Sequence, residues 1–175
     1  AFDRKIMRGC RAVKVRATGF SAFESINARY VGQVSGHGLE LRRELLPAVT
    51  AAPELKQELS KDVFLLKLTP GMNQAIFDAL VNMGIRGIVI EAFGLGGVNV
   101  LGEGLEGIEK AVKSGVSVVV TTQCLHDSAD LGVYQVGTKL LDLGVIQGRD
   151  MTSEAAVAKL MWALGQGMNP DEVKA

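Results

Sequence analysis

The chain has 175 residues, 47% of them hydrophobic, and its 19 basic and 19 acidic side chains cancel to a formal net charge of zero. That length gives one domain, or one domain plus part of another, with enough apolar material to bury a core. The charge balance gives no reason to expect a nucleic-acid or membrane partner, no apolar run is long enough for a membrane span, and no signal peptide is visible.

Residues 2–7, a turn at 8–9 and residues 12–17 read as a β-hairpin. Arg4, Lys5, Arg8, Arg11, Lys14 and Arg16 are dotted along it and are expected to face water. The chain lacks an initiator Met and opens on AFDRKIMRG, wording that suits the middle of a strand, so a truncated or excised chain is expected. Residues 18–50 read as irregular, being rich in Gly, Ser and Asn. Pro47 and Pro53 bracket a polar stretch, and residues 54–61 are highly charged. So long a loop is uncommon inside one domain. It predicts a boundary near residue 60, with residues 1–60 as the end of one domain plus a linker and residues 61–175 as the next domain.

From Asp62 the pattern alternates. VFLLKL at 63–68 is a buried-type strand, followed by a turn at Thr69-Pro70-Gly71. Asn73 is placed to cap a helix striped by Ile76, Phe77, Leu80 and Val81, which Gly84 ends. GIVIEA at 87–92 is the second strand, and the glycine loop of Gly94, Gly96 and Gly97 follows. Leu105, Ile108, Ala111 and Val112 stripe the next helix, with Glu106/Lys110 and Glu109/Lys113 spaced as i,i+4 pairs. Gly115 stops it, and residues 116–120 form the third strand. Val136, Leu140, Leu141 and Leu143 suit a short helix closed by Gly144, and Val145-Ile146 a short fourth strand. Thr152 caps the main C-terminal helix, striped by Val157, Leu160, Met161 and Leu164, with Glu154 in its first turn. Pro170 starts one more short helix. Continuous apolar strands alternating with helices predict an α/β fold. The expected sheet is small and parallel, of about four strands, covered by helices on both faces.

Ligands of open parallel sheets bind at the carboxyl ends of the strands. Those ends are 69–71, 91–99 and 121–124. GLGGVNVLGEG is neither a dinucleotide fingerprint nor a phosphate-binding Walker loop, so a tight strand-to-helix connection is the plainer reading, with a loop reaching a ligand or a neighbouring subunit as the alternative. Cys124 follows a strand end beside Thr121, Thr122 and Gln123. A nucleophilic Cys needs a depressed pKa, and a buried structural thiol is the preferred reading. His37 and His126 read as surface residues. Asp150 reads as a helix-start residue and Glu91 as one half of an ion pair, with a paired acid–base role for the two carboxylates as the alternative. No His/Cys cluster has metal spacing, so neither metal nor cofactor is expected. No GxSxG elbow occurs. Cys10 and Cys124 are far apart and fit two reduced thiols of an intracellular protein.

Several blocks together resemble one family. RGCRAVKVRATGFSAFESIN at 8–27 is similar to the hairpin and loop of bacterial cytoplasmic (type I) L-asparaginases, whose usual wording is close to RGNRxxKxxAxxFDAFxSPN. Cys10 stands where Asn is common, Ser21 where Asp is, and Ile26 where Pro is. LTPGM at 68–72, EAFGLGGVN at 91–99, TTQC at 121–124 and GVIQGRDMTSEAAVAKL at 144–160 continue the match in order over nearly the whole chain.

The resemblance implies a C-terminal asparaginase domain at 61–175, preceded by the end of a larger N-terminal α/β domain. It implies hydrolysis of L-asparagine to L-aspartate and ammonia in the cytoplasm. The assembly implied is a homodimer or a dimer of dimers. The family's catalytic threonines lie in TGGT-like and GTDT-like motifs, and neither occurs here, so no catalytic residue is assigned. The glycine loop, with Gly96 and Gly97, reaches toward the neighbour's active site in the family. Asn99 aligns with an asparagine that holds substrate in periplasmic relatives. Some members also bind asparagine at a regulatory site, whose matching positions include Cys124, Thr122 and Glu91. In a regulated group the last is an Arg able to clamp a carboxylate. A Glu would repel it, which argues against that control. An amidase subunit of a tRNA-dependent amidotransferase, which carries an extra leading domain, and a non-catalytic assembly module of the same fold are the alternative readings.

Overall fold

The first strand of the chain is shorter than its sequence suggests. In the computed structural model, which describes residues 1–98 and 105–174, Asp3 and Arg4 both adopt left-handed backbone, with φ of 47° and 59°. Two consecutive positive φ values make a two-residue hairpin turn, and Phe2 and Lys5 exchange both backbone hydrogen bonds at 2.9 Å across it. Only Lys5–Ile6 remains as β1. A 3-10 turn at Gly9–Arg11 then leads into β2, Ala12–Lys14.

The expected pairing of residues 2–7 with 12–17 is therefore corrected. β2 pairs antiparallel with β3, Phe23–Ser25, and β1 pairs with β4, Gly32–Ser35. β4 itself forms a hairpin with β5, Gly38–Leu41, in register Val34↔Leu39. Residues 18–50 thus hold three strands where the sequence predicts an irregular stretch. Alternation puts Val34, Leu39 and Leu41 on one face of this hairpin. All three are exposed, and the buried hydrophobic side chains of this part are Val13, Ala22, Ile26 and Val31.

The chain divides into two compact units, Ala1–Leu55 and Lys56–Ala175. The second unit carries the alternating pattern. β6 (Val63–Lys67), β7 (Gly87–Ala92), β8 (Ser117–Thr122) and β9 (Ile146–Gln147) form a sheet in that order, every pair parallel. The helices between them are α1 (Ala75–Asn82), α2 (Glu106–Lys113) and α3 (Gln135–Asp142), followed by α4 (Ser153–Gly165) and α5 (Pro170–Lys174). This is the four-stranded α/β layer that the apolar periodicity predicts.

Each of the first three helices is stopped by a glycine in left-handed backbone, Gly84 (φ 78°), Gly115 (φ 83°) and Gly144 (φ 94°). A side chain with a Cβ is disfavoured at such a position, and the reversal points the chain back into the next strand. α1 opens with Asn73 Oδ1 accepting the Ala75 N–H at 2.9 Å. α4 opens with Thr152 Oγ1 accepting the Ala155 N–H at 3.2 Å, the cap the sequence predicts. Of the two i,i+4 pairs, Lys113 meets Glu109 at 2.6 Å, whereas Lys110 reaches across to Asp78 of α1 at 2.7 Å instead of Glu106.

One face of the sheet packs Ile88, Ile90, Val118 and Val120 against Phe77, Leu80, Ile108 and Leu140. The other packs Val89 and Val119 against Ala156, Leu160 and Leu164 of α4. Both faces of β7 and β8 are covered as expected. The edge strand departs from that expectation, because Phe64 and Leu65 of β6 point to opposite faces and are 37% and 43% exposed.

Candidate functional site at the carboxyl edge of the sheet

The carboxyl ends of β6, β7 and β8 are held together by side chains as well as by the ladder. Gln123 Nε2 donates to the Leu68 carbonyl at 2.7 Å and to the Glu91 carbonyl at 3.0 Å. Its own N–H bonds the Ala92 carbonyl at 2.9 Å. One residue after β8 thus fastens the ends of both preceding strands. Thr121 is fully buried and its hydroxyl donates to the Ile90 carbonyl at 3.3 Å. Thr122 Oγ1 accepts the Cys124 N–H at 3.0 Å, a turn of the kind a hydroxyl makes two residues ahead.

Glu91, next to last in β7, lies on the face covered by α4. Its Oε1 accepts from Ser153 Oγ at 2.6 Å and its Oε2 lies 3.4 Å from Lys67 Nζ. Ser153 is the first residue of α4. A carboxylate there is favoured by the helix dipole as well as by the two bonds. The expectation that Glu91 sits in an ion pair is met by Lys67 of the neighbouring strand.

The loop after β7 is closed by a bridge between Phe93 and Gly97. Phe93 O accepts from Gly96 N at 3.0 Å and Gly97 N at 2.7 Å, and Gly97 O accepts from Phe93 N at 2.9 Å. Gly96 has φ 114°, and a Cβ on it would lie 2.6 Å from Leu131 Cδ2. Its glycine is needed for backbone and for space. Leu95 O accepts the Asp130 N–H at 2.7 Å, which fixes the loop against the segment after β8.

The candidate residues fall into separate groups. Gly96, Gly97 and Thr122 lie on the side of the sheet that faces α1, α2 and α3. The Glu91 side chain points to the α4 side, because Glu91 pairs with Thr121 and successive residues alternate. Cys124 lies past the end of β8 and is exposed, which corrects the reading of a buried thiol. Asn99 lies outside the described residues. His37 and His126 are exposed, as expected. The sequence reading does not single out Lys67 or Ser153, and it names Gln123 only as a neighbour of Cys124. Among the described residues, no group of three or more His, Cys, Asp or Glu side chains is placed to hold a metal ion. No described helix is long and apolar enough to cross a membrane.

Comparison with known proteins gives this edge its context. The model of the glutaminase/asparaginase C-terminal domain matches residues 62–175, and that of the asparaginase N-terminal domain matches residues 1–47. The chain belongs to the glutaminase/asparaginase family. It is 37% identical to an L-asparaginase of Thermococcus kodakarensis over 99% of its own length and 52% of that protein's. It is 38% identical to a glutamyl-tRNA(Gln) amidotransferase subunit of Pyrococcus abyssi, over 95% of this chain and 38% of that one.

Among solved structures, the thermostable L-asparaginase from Thermococcus kodakarensis superposes with a TM-score of 0.89, covering 99% of this chain and 52% of that one. L-asparaginase I from Vibrio cholerae follows at 0.86 with 32% identity and the same coverage of both chains. The chain spans about half the length of the L-asparaginase relatives that it matches.

Proposed function

We propose that this chain serves as the C-terminal portion of an L-asparaginase, a hydrolase that converts L-asparagine and water to L-aspartate and ammonia. The observation that carries this is the 37% identity to an L-asparaginase across 99% of the chain, with a TM-score of 0.89 to a structure of that enzyme. Residues 1–60 then belong to the end of the catalytic N-terminal domain and its linker, and residues 61–175 to the C-terminal domain. The chain contributes no catalytic threonine. Its role is dimerisation and the outer wall of a partner's active site, where Asn99, Gly96 and Gly97 approach the substrate.

The hydrogen bonds that tie Phe93 to Gly96 and Gly97 support that role, since a wall must hold its shape to position a substrate. Cys124, Thr122 and Glu91 are the positions at which an effector would act. The Glu91 carboxylate, already bonded by Ser153 and Lys67, does not suit a carboxylate effector. The protein works in the cytoplasm as a homodimer or dimer of dimers, without cofactor, nucleic acid or membrane.

The amidotransferase reading stands beside it because a relative from such an enzyme reaches 38% identity. Ammonia release from L-asparagine and L-glutamine separates the two. A protein that joins this chain to an asparaginase N-terminal domain should hydrolyse free L-asparagine by itself, and the 175-residue chain alone should not. Release by the longer protein only when glutamyl-tRNA is supplied would favour the amidotransferase. Release by the 175-residue chain alone would overturn the assignment of catalysis to residues outside it.

A further inference from the structure

Residues 123–134 connect β8 to α3 without helix or strand. A connection of that length needs particular bonds to keep one position. Three consecutive N–H groups in its middle supply them. Ala129 N–H donates to the Arg149 carbonyl at 2.9 Å and Leu131 N–H to Gln147 Oε1 at 3.2 Å, one just past β9 and one on it. Asp130 N–H, between them, donates instead to the Leu95 carbonyl of the glycine loop at 2.7 Å. The segment therefore bridges β9 and the glycine loop.

Leu131 carries the position of that segment into the loop. Its side chain is buried in the core with Val98 and Val120. Gly96 lies against it, so closely that a Cβ there would come 2.6 Å from Leu131 Cδ2. On the backbone side α3 closes in, since a Cβ on Gly137 would lie 2.8 Å from Leu131 Cα. Interiors packed this closely pass a displacement on instead of absorbing it. A Leu131 released from its hydrogen bond has no room toward α3 and shifts toward Gly96. Two of the three acceptors are backbone carbonyls, which any residue type supplies. The third is a side chain, so the Gln147 bond is the one that a substitution can remove.

We infer that Gln147 is a positioning residue for the glycine loop. Its amide oxygen holds Leu131, and Leu131 with Asp130 sets where Leu95, Gly96 and Gly97 stand. A role in substrate binding rests on the reading of Gly96 and Gly97 as a substrate wall. On that reading Gln147 governs how tightly L-asparagine is held and takes no part in the chemistry.

The test uses two variants. Gln147→Leu removes the acceptor at similar size, and Gln147→Glu keeps an acceptor oxygen. In the 175-residue chain, amide hydrogen exchange followed by NMR should quicken about tenfold at Leu131, Asp130 and Gly97 in Gln147→Leu, the size of one lost hydrogen bond. It should stay unchanged at Ile88 and Ile90 of β7 and return to the parent rates in Gln147→Glu. In the longer protein that joins this chain to an asparaginase N-terminal domain, Gln147→Leu should raise KM for L-asparagine several-fold at constant kcat, as lost ground-state binding does. Gln147→Glu should restore it. Exchange unchanged at Gly97, or quickened equally in β7, would overturn the positioning role. Gly96→Ala is the reference for the wall. If it raises KM and Gln147→Leu does not, the wall stands and the role of Gln147 falls. If neither variant raises KM, the wall itself falls, and the part of Gln147 in substrate binding with it.

Discussion

Ser153 Oγ donates to Glu91 Oε1 at 2.6 Å, joining the first residue of α4 to the end of β7, 62 positions earlier in the chain. A hydrogen bond to a charged group contributes about 1.5–3 kcal/mol. Ser153→Ala should therefore lower unfolding free energy by about 2 kcal/mol. Lys67 meets the same carboxylate at 3.4 Å, but its side chain is 60% exposed, and exposed ion pairs contribute only about 0–1 kcal/mol. Lys67→Ala should be nearly silent. Urea denaturation of the two variants checks the order, and a larger loss in Lys67→Ala would contradict it.

Gly96→Ala has to fit a Cβ 2.6 Å from Leu131 Cδ2 in backbone of φ 114°. Overpacking of this kind costs about 1–3 kcal/mol. Gly94→Ala, two residues earlier, has φ 50° and open space around its Cβ position, so it should cost about 1 kcal/mol from backbone alone. Thermal melts of the pair separate crowding from conformational preference. If Gly96 and Gly97 also form a substrate wall, only Gly96→Ala should raise KM in the longer enzyme.

Cys10 and Cys124 are both free and exposed. Both thiols should react with Ellman's reagent in the native protein, without denaturant. One fast thiol and one that appears only on unfolding, with the slow one lost in Cys124→Ser, would mean that Cys124 is sheltered after all.

Val34, Leu39 and Leu41 make one exposed apolar face on the β4–β5 hairpin, and Phe64 and Leu65 flank the open edge of β6. Such surfaces beside unpaired strands favour association. The isolated chain should not be a monodisperse monomer by light scattering, and Leu39→Thr with Leu41→Thr should shift it toward smaller species.

The second unit is legible in the sequence because its signals are local. Apolar stripes at helical spacing, a left-handed glycine at three helix ends and β-branched strands each act within about ten residues. GIVIEA at 87–92 forms β7 residue for residue. The first unit is not legible in this way, because its strands are two to four residues long and pair across loops. Its first turn depends on Asp3 and Arg4 adopting a conformation that their types do not announce. The hairpin of β4 and β5 does leave a trace, two alternating runs separated by Gly36-His37. At the site, strand ends locate the edge correctly, since a parallel sheet puts them together whatever the loops contain. The bonds of Gln123 and Ser153 are invisible in the sequence, because each links residues at least 30 positions apart. Cys124 reads as buried because an unreactive free thiol behaves as a small hydrophobe, yet the sheet ends two residues before it.

The amide of Gln123 grips two carbonyls from two different strands while its own backbone is pinned to a third position. Three strand ends are thereby riveted through a single side chain. A force applied to the segment after β8 cannot tilt one strand end alone; it must carry the whole edge or release the rivet. A displacement of Gln123 is for that reason felt at Leu68 and Glu91 together.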